Sequence, residues 1–222
     1  MLGSTRIRKP AKKPRKRPQK RRFFAKKQPT QGRSRATYES ILDAAARLLE
    51  RRGYADLTTN HVADAAGVAI GSLYEYFGTK DAIVAEVVRR TVRAVASEIA
   101  ESFQESLVVG MERGLRPLIR AMFAAIEARG KLVRVLFTSV PFLQEIEEVR
   151  ELPKMMLAIA RQGIPGATSS WLKRDAEAAT YLLTVMVGAA VVESVAGRPD
   201  HVSLAQLEDS LVRMLRRILI EG

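Results

Sequence analysis

Gly67 interrupts a helical pattern where only a very tight turn fits, and this glycine limits the fold more than any other residue. Val62 and Ala63 precede it by five and four residues, and Leu73 follows it by six. Two short helices that cross closely need small and apolar residues at these points, and their turn needs a residue that accepts positive φ. The pattern predicts a helix-turn-helix from about Thr58 to Phe77, whose second helix fits the major groove of double-stranded DNA.

The rest of the chain also has the pattern of helices. Apolar residues recur at steps of three and four from Thr37 onward, and no strand-like alternation, internal repeat or sustained heptad occurs. A long helix follows Thr79 to about Leu107, and Gly and Pro residues separate later helical segments near 112–129, 131–150, 152–163, 174–196 and 203–220. We therefore predict an all-α fold of about nine helices.

Positive charge is concentrated at the N-terminus. Residues 1–36 hold 15 of the 37 Lys and Arg residues and no Asp or Glu, which leaves 22 basic and 24 acidic residues in the remainder. Prolines interrupt the basic runs, so we expect residues 1–35 to form an extended, disordered arm. The arm is a solvated tail, the product of a start assigned too early, or a polycation that follows phosphates or a minor groove.

Composition argues against several other classes of protein. His61 and His201 are the only histidines, cysteine is absent, and no Ser, Gly or carboxylate motif has catalytic spacing. We therefore expect no enzyme activity, no metal and no cofactor. No run of 18 apolar residues lacks a charge, so we expect no membrane span and a cytoplasmic location.

The N-terminal motif resembles the TetR family of bacterial transcriptional regulators over residues 37 to about 88. The resemblance is carried by Tyr38-Glu39-Ser40-Ile41-Leu42-Asp43-Ala44-Ala45, Gly53-Tyr54, Thr58, Val62-Ala63, Ala66-Gly67-Val68, Gly71-Ser72-Leu73-Tyr74, Tyr76-Phe77 and Lys80. It implies a DNA-binding domain at 36–82, with three helices, and a helical effector-binding and dimerisation domain at 83–222.

The resemblance also assigns DNA contacts within a recognition helix at Ala69–Phe77. Base edges would be read by Ile70, Ser72 and Glu75. Phosphates would be contacted by Thr58, Tyr74, Tyr76 and Lys80, and Gly71 would allow the backbone to approach the duplex. Ala69 departs from the family, which often has Ser or Thr at this position, so one cap and one phosphate contact are not expected here.

Each of these assignments has a simpler alternative. Tyr76 could be a core residue, and Phe77 is expected in the core. Glu75 could be solvated, and Thr58 could act only as a helix cap. His61 is expected on the surface or near phosphate rather than as a ligand.

The last two helical segments, at about 174–196 and 203–220, are expected to form a homodimer interface. Residues 181–192 are apolar nearly all round, more than one core face requires, although one buried helix in a monomer would show the same pattern. A dimer would place two recognition helices on a palindromic operator. The chain would then be a repressor of transcription that is nucleoid-associated when bound to DNA.

The middle helices are expected to enclose a small-molecule effector that is apolar or aromatic. The residues expected around it are bulky or adaptable side chains, which any helical core also needs: Phe103, Phe123, Phe137, Phe142, Met156 and Trp171. The alternative to a specific repressor is a sequence-nonspecific, nucleoid-type DNA-binding protein that relies on its basic arm.

Overall fold

Helices follow one another along nearly all of the chain that can be described. The computed structural model describes residues 23–27, 29, 32–166 and 174–221. These residues form nine α-helices and no strand, which confirms the all-α prediction. The helices are α1 (Gly32–Arg52), α2 (Thr59–Ala66), α3 (Ile70–Tyr76), α4 (Lys80–Val109), α5 (Met111–Glu127), α6 (Gly130–Ser139), α7 (Glu147–Ala160), α8 (Ala176–Ala196) and α9 (Leu204–Arg216). Short 3₁₀ turns at Leu143–Glu145 and Arg161–Gly166 and a π turn at Arg217–Glu221 complete the order.

The helix ends in the N-terminal third are fixed by local chemistry. The Thr58 hydroxyl accepts a hydrogen bond from the His61 amide at 3.1 Å, and the Thr79 hydroxyl accepts one from the Ala82 amide at 3.2 Å. Each threonine thereby satisfies one of the amides that a helix N-terminus leaves without an intrahelical partner. The predicted starts of α2 and α4 are therefore confirmed.

Folded structure begins nearer to the N-terminus than the predicted arm allows. Helix α1 begins at Gly32 rather than Thr37, and Phe23 is buried, with its ring stacked on Phe142 at a centroid distance of 4.6 Å. The predicted disordered arm over residues 1–35 is thus too long, because an apolar anchor lies inside a basic segment. Residues 1–22 lie outside the described residues.

One predicted helix in the middle of the chain is two helices. The segment 131–150 is divided by a break after Ser139, next to Pro141, and the predicted break at Pro153 is absent because α7 continues through it. Pro153 removes one backbone hydrogen bond, but it packs in an apolar cavity together with Leu152. Tertiary packing therefore outweighs the local signal.

Two apolar clusters meet at α4. The first joins α1, α2 and α3 to the first turns of α4, to α6 and to the turn that follows α6. The second joins the middle of α4 to α5, α6, α8 and α9. At the α4–α5 contact a Cβ on Gly114 would lie 2.5 Å from the Ser106 carbonyl oxygen, so only glycine allows this approach. Helix α4 therefore contributes to both cores, and the predicted domain boundary between residues 82 and 83 falls inside it.

Helix α8 leaves a large apolar face uncovered. Its side chains toward the second cluster include Leu183, Val187 and Val191. The exposed apolar residues, between 42% and 59% exposed, are Tyr181, Leu182, Val185 and Met186 on α8 and Met214 on α9. A contiguous apolar surface of this kind is typical of a protein–protein interface.

The length and composition of α8 would also allow it to cross a membrane, contrary to the expectation that no segment qualifies. Core helices of soluble proteins meet the same criteria. In this fold α8 packs against α5, α6, α7 and α9, so one side of it is already occupied by protein.

If the exposed face of α8 is a dimer interface, Met186→Glu should weaken self-association about 100-fold or more. An unpaired charge buried in an interface costs about 3 kcal/mol or more. Sedimentation equilibrium should give twice the chain mass for the wild type and a mixture dominated by single chains for the variant. Met155→Glu is the matched control, because Met155 is an exposed methionine on α7. A wild type that sediments as a single chain would contradict the prediction.

Candidate DNA-binding surface

The turn between α2 and α3 has the predicted geometry. Gly67 has φ +67°, and its amide donates to the carbonyls of Ala63 and Asp64. The Val68 amide also donates to the Ala63 carbonyl, at 3.0 Å. Val62, Ala63 and Leu73 are at most 2% exposed. The helix-turn-helix is therefore confirmed as a fold, and Gly67 occupies the left-handed position that the turn requires.

Helix α3 presents one face to solvent and buries the other. Leu73 and Tyr76 are buried, whereas Ile70, Gly71, Tyr74 and Glu75 are exposed and Ser72 is half-buried. The exposed residues lie at helical spacing on one side, as residues that reach into a groove must. Ala69 at the N-cap makes no side-chain hydrogen bond, as expected from an alanine. The exposed face of α3 is thus free to meet a duplex.

The N-terminus of α2 lies beside this face. The Tyr74 hydroxyl and the Thr59 hydroxyl are 3.1 Å apart, and Thr58 caps the same helix. An N-terminal helix end attracts an anionic oxygen through its amides and its dipole. Thr59 was not among the predicted contacts, since a second threonine after a cap gives no signal in the sequence. Together these side chains form a polar edge suited to a phosphate.

Tyr76 lies in the core, which corrects the prediction that it contacts phosphate. It is 6% exposed, and its ring meets the Tyr38 ring edge-on at a centroid distance of 5.9 Å. The simpler alternative for this tyrosine is therefore right. Its spacing from the other residues of α3 does not indicate that Tyr76 lies on the side of the helix that faces Tyr38 on α1.

Lys80 is half-buried and donates two hydrogen bonds within the protein, which leaves one ammonium hydrogen, so its assignment as a phosphate contact stays a prediction. Its ammonium donates to the carbonyls of Tyr54 and Ala55 at 3.1 and 3.3 Å and lies 4.4 Å from the centroid of the Tyr54 ring. These contacts fix the loop between α1 and α2. The Tyr54 hydroxyl in turn donates to the Asp81 carboxylate at 2.5 Å.

The helix-turn-helix itself carries little positive charge. Between residues 58 and 80 the acidic residues are Asp64 and Glu75, and the only Lys or Arg is Lys80. Binding to phosphates draws on lysine and arginine. Any strong electrostatic contribution must therefore come from outside the motif. Exposed basic residues precede it at Arg51 and Arg52 in the last turn of α1 and at Lys26 and Lys27, and residues 1–22 hold 11 further Lys and Arg.

A second candidate site is an apolar cavity of about 350 Å³ between α4, α5, α7, α8 and the C-terminal helix. Its lining includes two of the predicted residues, Phe103 and Met156. Among the described lining residues, the polar side chains are Thr180 and Thr184, and the Thr184 hydroxyl donates to the Thr180 carbonyl at 2.7 Å. None of the lining residues that the structure describes offers a charged group to a ligand.

The other predicted ligand contacts lie elsewhere. Phe123 is buried in the second cluster outside the lining, Phe137 is half exposed, and Phe142 stacks on Phe23 in the first cluster. Trp171 lies outside the described residues. Aromatic size therefore did not indicate which side chains face the cavity, and most of the lining is aliphatic: Val95, Ile99, Leu115, Leu118, Ile119, Leu152 and Leu183 are examples.

Comparisons with known proteins agree with this arrangement. Residues 41–87 match the family of bacterial regulatory proteins named tetR. The transcriptional repressor KstR2 of Rhodococcus jostii (strain RHA1) is 30% identical over 128 residues, 57% of this chain. The aligned part of the chain spans only 60% of the length of that repressor.

Solved structures extend the likeness to the whole fold. A TetR-family protein from Mesorhizobium loti MAFF303099 matches with a TM-score of 0.64 at 22% identity, covering 85% of this chain and 98% of that one. The regulator FadR from Bacillus subtilis, solved in complex with stearoyl-CoA, matches with a TM-score of 0.60 at 21% identity, covering 80% and 97%.

The exposed face of α3 predicts different outcomes for two substitutions. Tyr74→Ala should weaken binding about fivefold on every duplex, because one phosphate hydrogen bond of about 1 kcal/mol is lost. Ile70→Ala should instead change the preference at one or two base pairs. Fluorescence anisotropy with a selected duplex and its single-base variants measures both. Equal losses on all duplexes for both variants would contradict the assignment of Ile70 to base edges.

Proposed function

We propose that this chain, whose residues 41–87 match the tetR family of bacterial regulatory proteins, is a repressor of that family that binds a palindromic operator as a homodimer. A small apolar ligand in the cavity releases it from DNA. Residues 36–82 bind DNA, and residues 83–222 bind the ligand and form the dimer. By family membership it regulates transcription rather than catalysing a reaction, in the cytoplasm and at the nucleoid when bound to DNA.

The exposed face of α3 is the observation that carries the DNA-binding proposal. Ile70, Ser72 and Glu75 read base edges, with Glu75 accepting a hydrogen bond, for instance from cytosine N4. Gly71, with nothing within 4 Å of a Cβ placed on it, lets the helix approach the duplex. Thr58 and Tyr74 hold phosphate at the edge of the motif. The buried ring of Tyr76 removes that residue from the proposed contacts, whereas Lys80 remains one of the proposed phosphate contacts.

Dimerisation follows from the small number of base pairs that one short helix can contact. Helix α3 spans seven residues and reaches only a few base pairs. Two copies related by a two-fold axis would place their recognition helices about 34–36 Å apart, one helical turn of DNA. The uncovered apolar face of α8 and α9 supports this arrangement, because an exposed apolar surface is typical of a protein–protein interface and this one lies away from α3 in sequence and in the core clusters.

The lining of the cavity favours an aliphatic ligand over an aromatic one. Among the lining residues that the structure describes, Phe103 is the one aromatic residue, and none is a Lys or Arg that could neutralise a buried carboxylate. The FadR structure from Bacillus subtilis contains stearoyl-CoA, a molecule with a long aliphatic chain. Of that molecule, we propose only the aliphatic chain as the kind of group that binds in the cavity of this protein. The ligand lowers DNA affinity by binding better to a conformation in which the recognition helices are misplaced.

A sequence-nonspecific, nucleoid-type role is the second candidate, and the 11 basic residues of 1–22 favour it. A repressor should prefer a palindrome selected from random duplexes over bulk DNA by about 10³-fold or more. Competition binding decides between the two, since equal affinity for all duplexes would exclude the repressor. Removing residues 1–22 should flatten the salt dependence of binding and leave the preference for the palindrome unchanged.

The cavity proposal predicts that 1-decanol lowers affinity for the selected palindrome at least about fivefold. Decanoate, which has the same chain with a charged head, should act more weakly because the cavity cannot neutralise it. Met156→Lys should abolish the response to decanol. Met155→Lys is the control, since Met155 is exposed on the same helix. Release by an acyl-CoA but not by decanol would place part of the ligand outside the cavity and overturn a purely apolar effector.

A further inference from the structure

A short segment before α1 joins the recognition helix to the rest of the protein. At one end of the segment Phe23–Lys27, the Lys26 amide donates to the Tyr76 carbonyl at 2.7 Å. The Lys26 ammonium donates to the Tyr74 carbonyl at 3.1 Å. Carbonyls in the last turn of a helix lack intrahelical partners, and a cation there also suits the helix dipole. Lys26 therefore caps the C-terminal end of α3 from outside the motif.

The other end of the segment is anchored on α4 and on the turn after α6. The Phe23 ring stacks on Phe142, and the Phe23 carbonyl accepts a hydrogen bond from Arg89 at 2.8 Å. The Phe24 ring lies 4.5 Å from the Arg89 guanidinium carbon. Phe23–Lys27 is thus held at both ends, by the recognition helix and by α4.

Arg89 connects this anchor to α7. It is 3% exposed, and besides Phe23 it donates to Glu86 and Glu148, each at 3.1 Å. Arg93 also donates to Glu148, at 2.6 Å. Burial alone would raise the pKa of the Glu148 carboxyl, but a backbone hydrogen bond and the two arginines bring its pKa below the ordinary value. Glu148 therefore stays ionised and holds Arg89 in place.

Helix α7 carries Glu148 at its start and the wall of the cavity further along. Leu152 lies one turn after Glu148, and Pro153 and Met156 also line the cavity. A ligand that displaces α7 would therefore act on the Glu148–Arg89 contact. From there the contacts continue through Phe23 and Lys26 to α3.

We propose that Phe23–Lys27, held by Arg89 and Glu148, positions the recognition helix. Helix α4 is one connection between the cavity and the DNA-binding surface, and Phe23–Lys27 forms a second. The role in ligand response rests on the proposed function, whereas the positioning of α3 does not. Gly78 is part of the arrangement, because a Cβ there would lie 3.0 Å from the Lys26 side chain.

Amide hydrogen exchange of the full chain without DNA or ligand tests the positioning directly. Glu148→Gln should speed exchange in α3 about tenfold while α5 and α9 keep wild-type rates. Glu151→Gln is the matched control, since Glu151 is exposed on the same helix and paired with Lys154. Unchanged exchange in α3 for Glu148→Gln would overturn the proposal, and faster exchange throughout the protein would show a general loss of stability and overturn it as well.

A pair of lysine variants tests the effect on DNA binding. Lys26→Ala and Lys27→Ala each remove one positive charge, but only Lys26 donates to the Tyr74 carbonyl. Lys26→Ala should weaken binding to the selected palindrome about tenfold more than Lys27→Ala and should speed exchange in α3. Equal effects of the two variants would overturn the role of Lys26. If no palindrome is preferred by the wild type, the proposed function fails, and the exchange rates still decide the positioning of α3.

Discussion

Burial of the first turns of α4 on every side is the constraint on which the rest of the structure depends. Ala82, Ile83, Val84 and Ala85 are at most 1% exposed, so this part of the helix cannot slide or rotate without opening the core around it. The helix-turn-helix packs on one end of α4, and the cavity borders its middle. The proposed DNA-binding and ligand-binding surfaces are thereby fixed to one rigid element.

The helix-turn-helix could be predicted from the sequence because its determinants are local. Gly67, Val62 and Leu73 stand within twelve residues of one another, and their spacing alone specifies the turn. The positions of Tyr76 and Lys80 could not be predicted in the same way. Tyr76 is buried by Tyr38 and Lys80 is held by the loop at Tyr54, contacts between residues 26 to 38 positions apart that only the folded chain brings together.

The difference between local patterns and contacts made only in the folded chain also explains why most of the predicted ligand residues do not line the cavity. Large aromatic side chains were expected around a cavity, yet Phe142 was needed to receive Phe23, and Phe123 fills the second cluster. A phenylalanine has the same sequence signal in a packed core as in a cavity wall. The apolar anchor at Phe23 is likewise not apparent from composition, because the average charge of the N-terminal segment predicts disorder, whereas the burial of one residue depends on its contact with Phe142.

The scarcity of polar groups in the cavity has a consequence for how a regulator of this kind would respond to related molecules. The described lining holds no charged side chain and, as polar groups, only the hydroxyls of Thr180 and Thr184, so affinity would depend mainly on the apolar surface that is buried, about 0.8 kcal/mol for each methylene. Adjacent members of a homologous series would then differ only about fourfold in affinity. The transcriptional response would be graded with chain length rather than restricted to one compound, so the protein would report a class of metabolite and its abundance rather than a single structure.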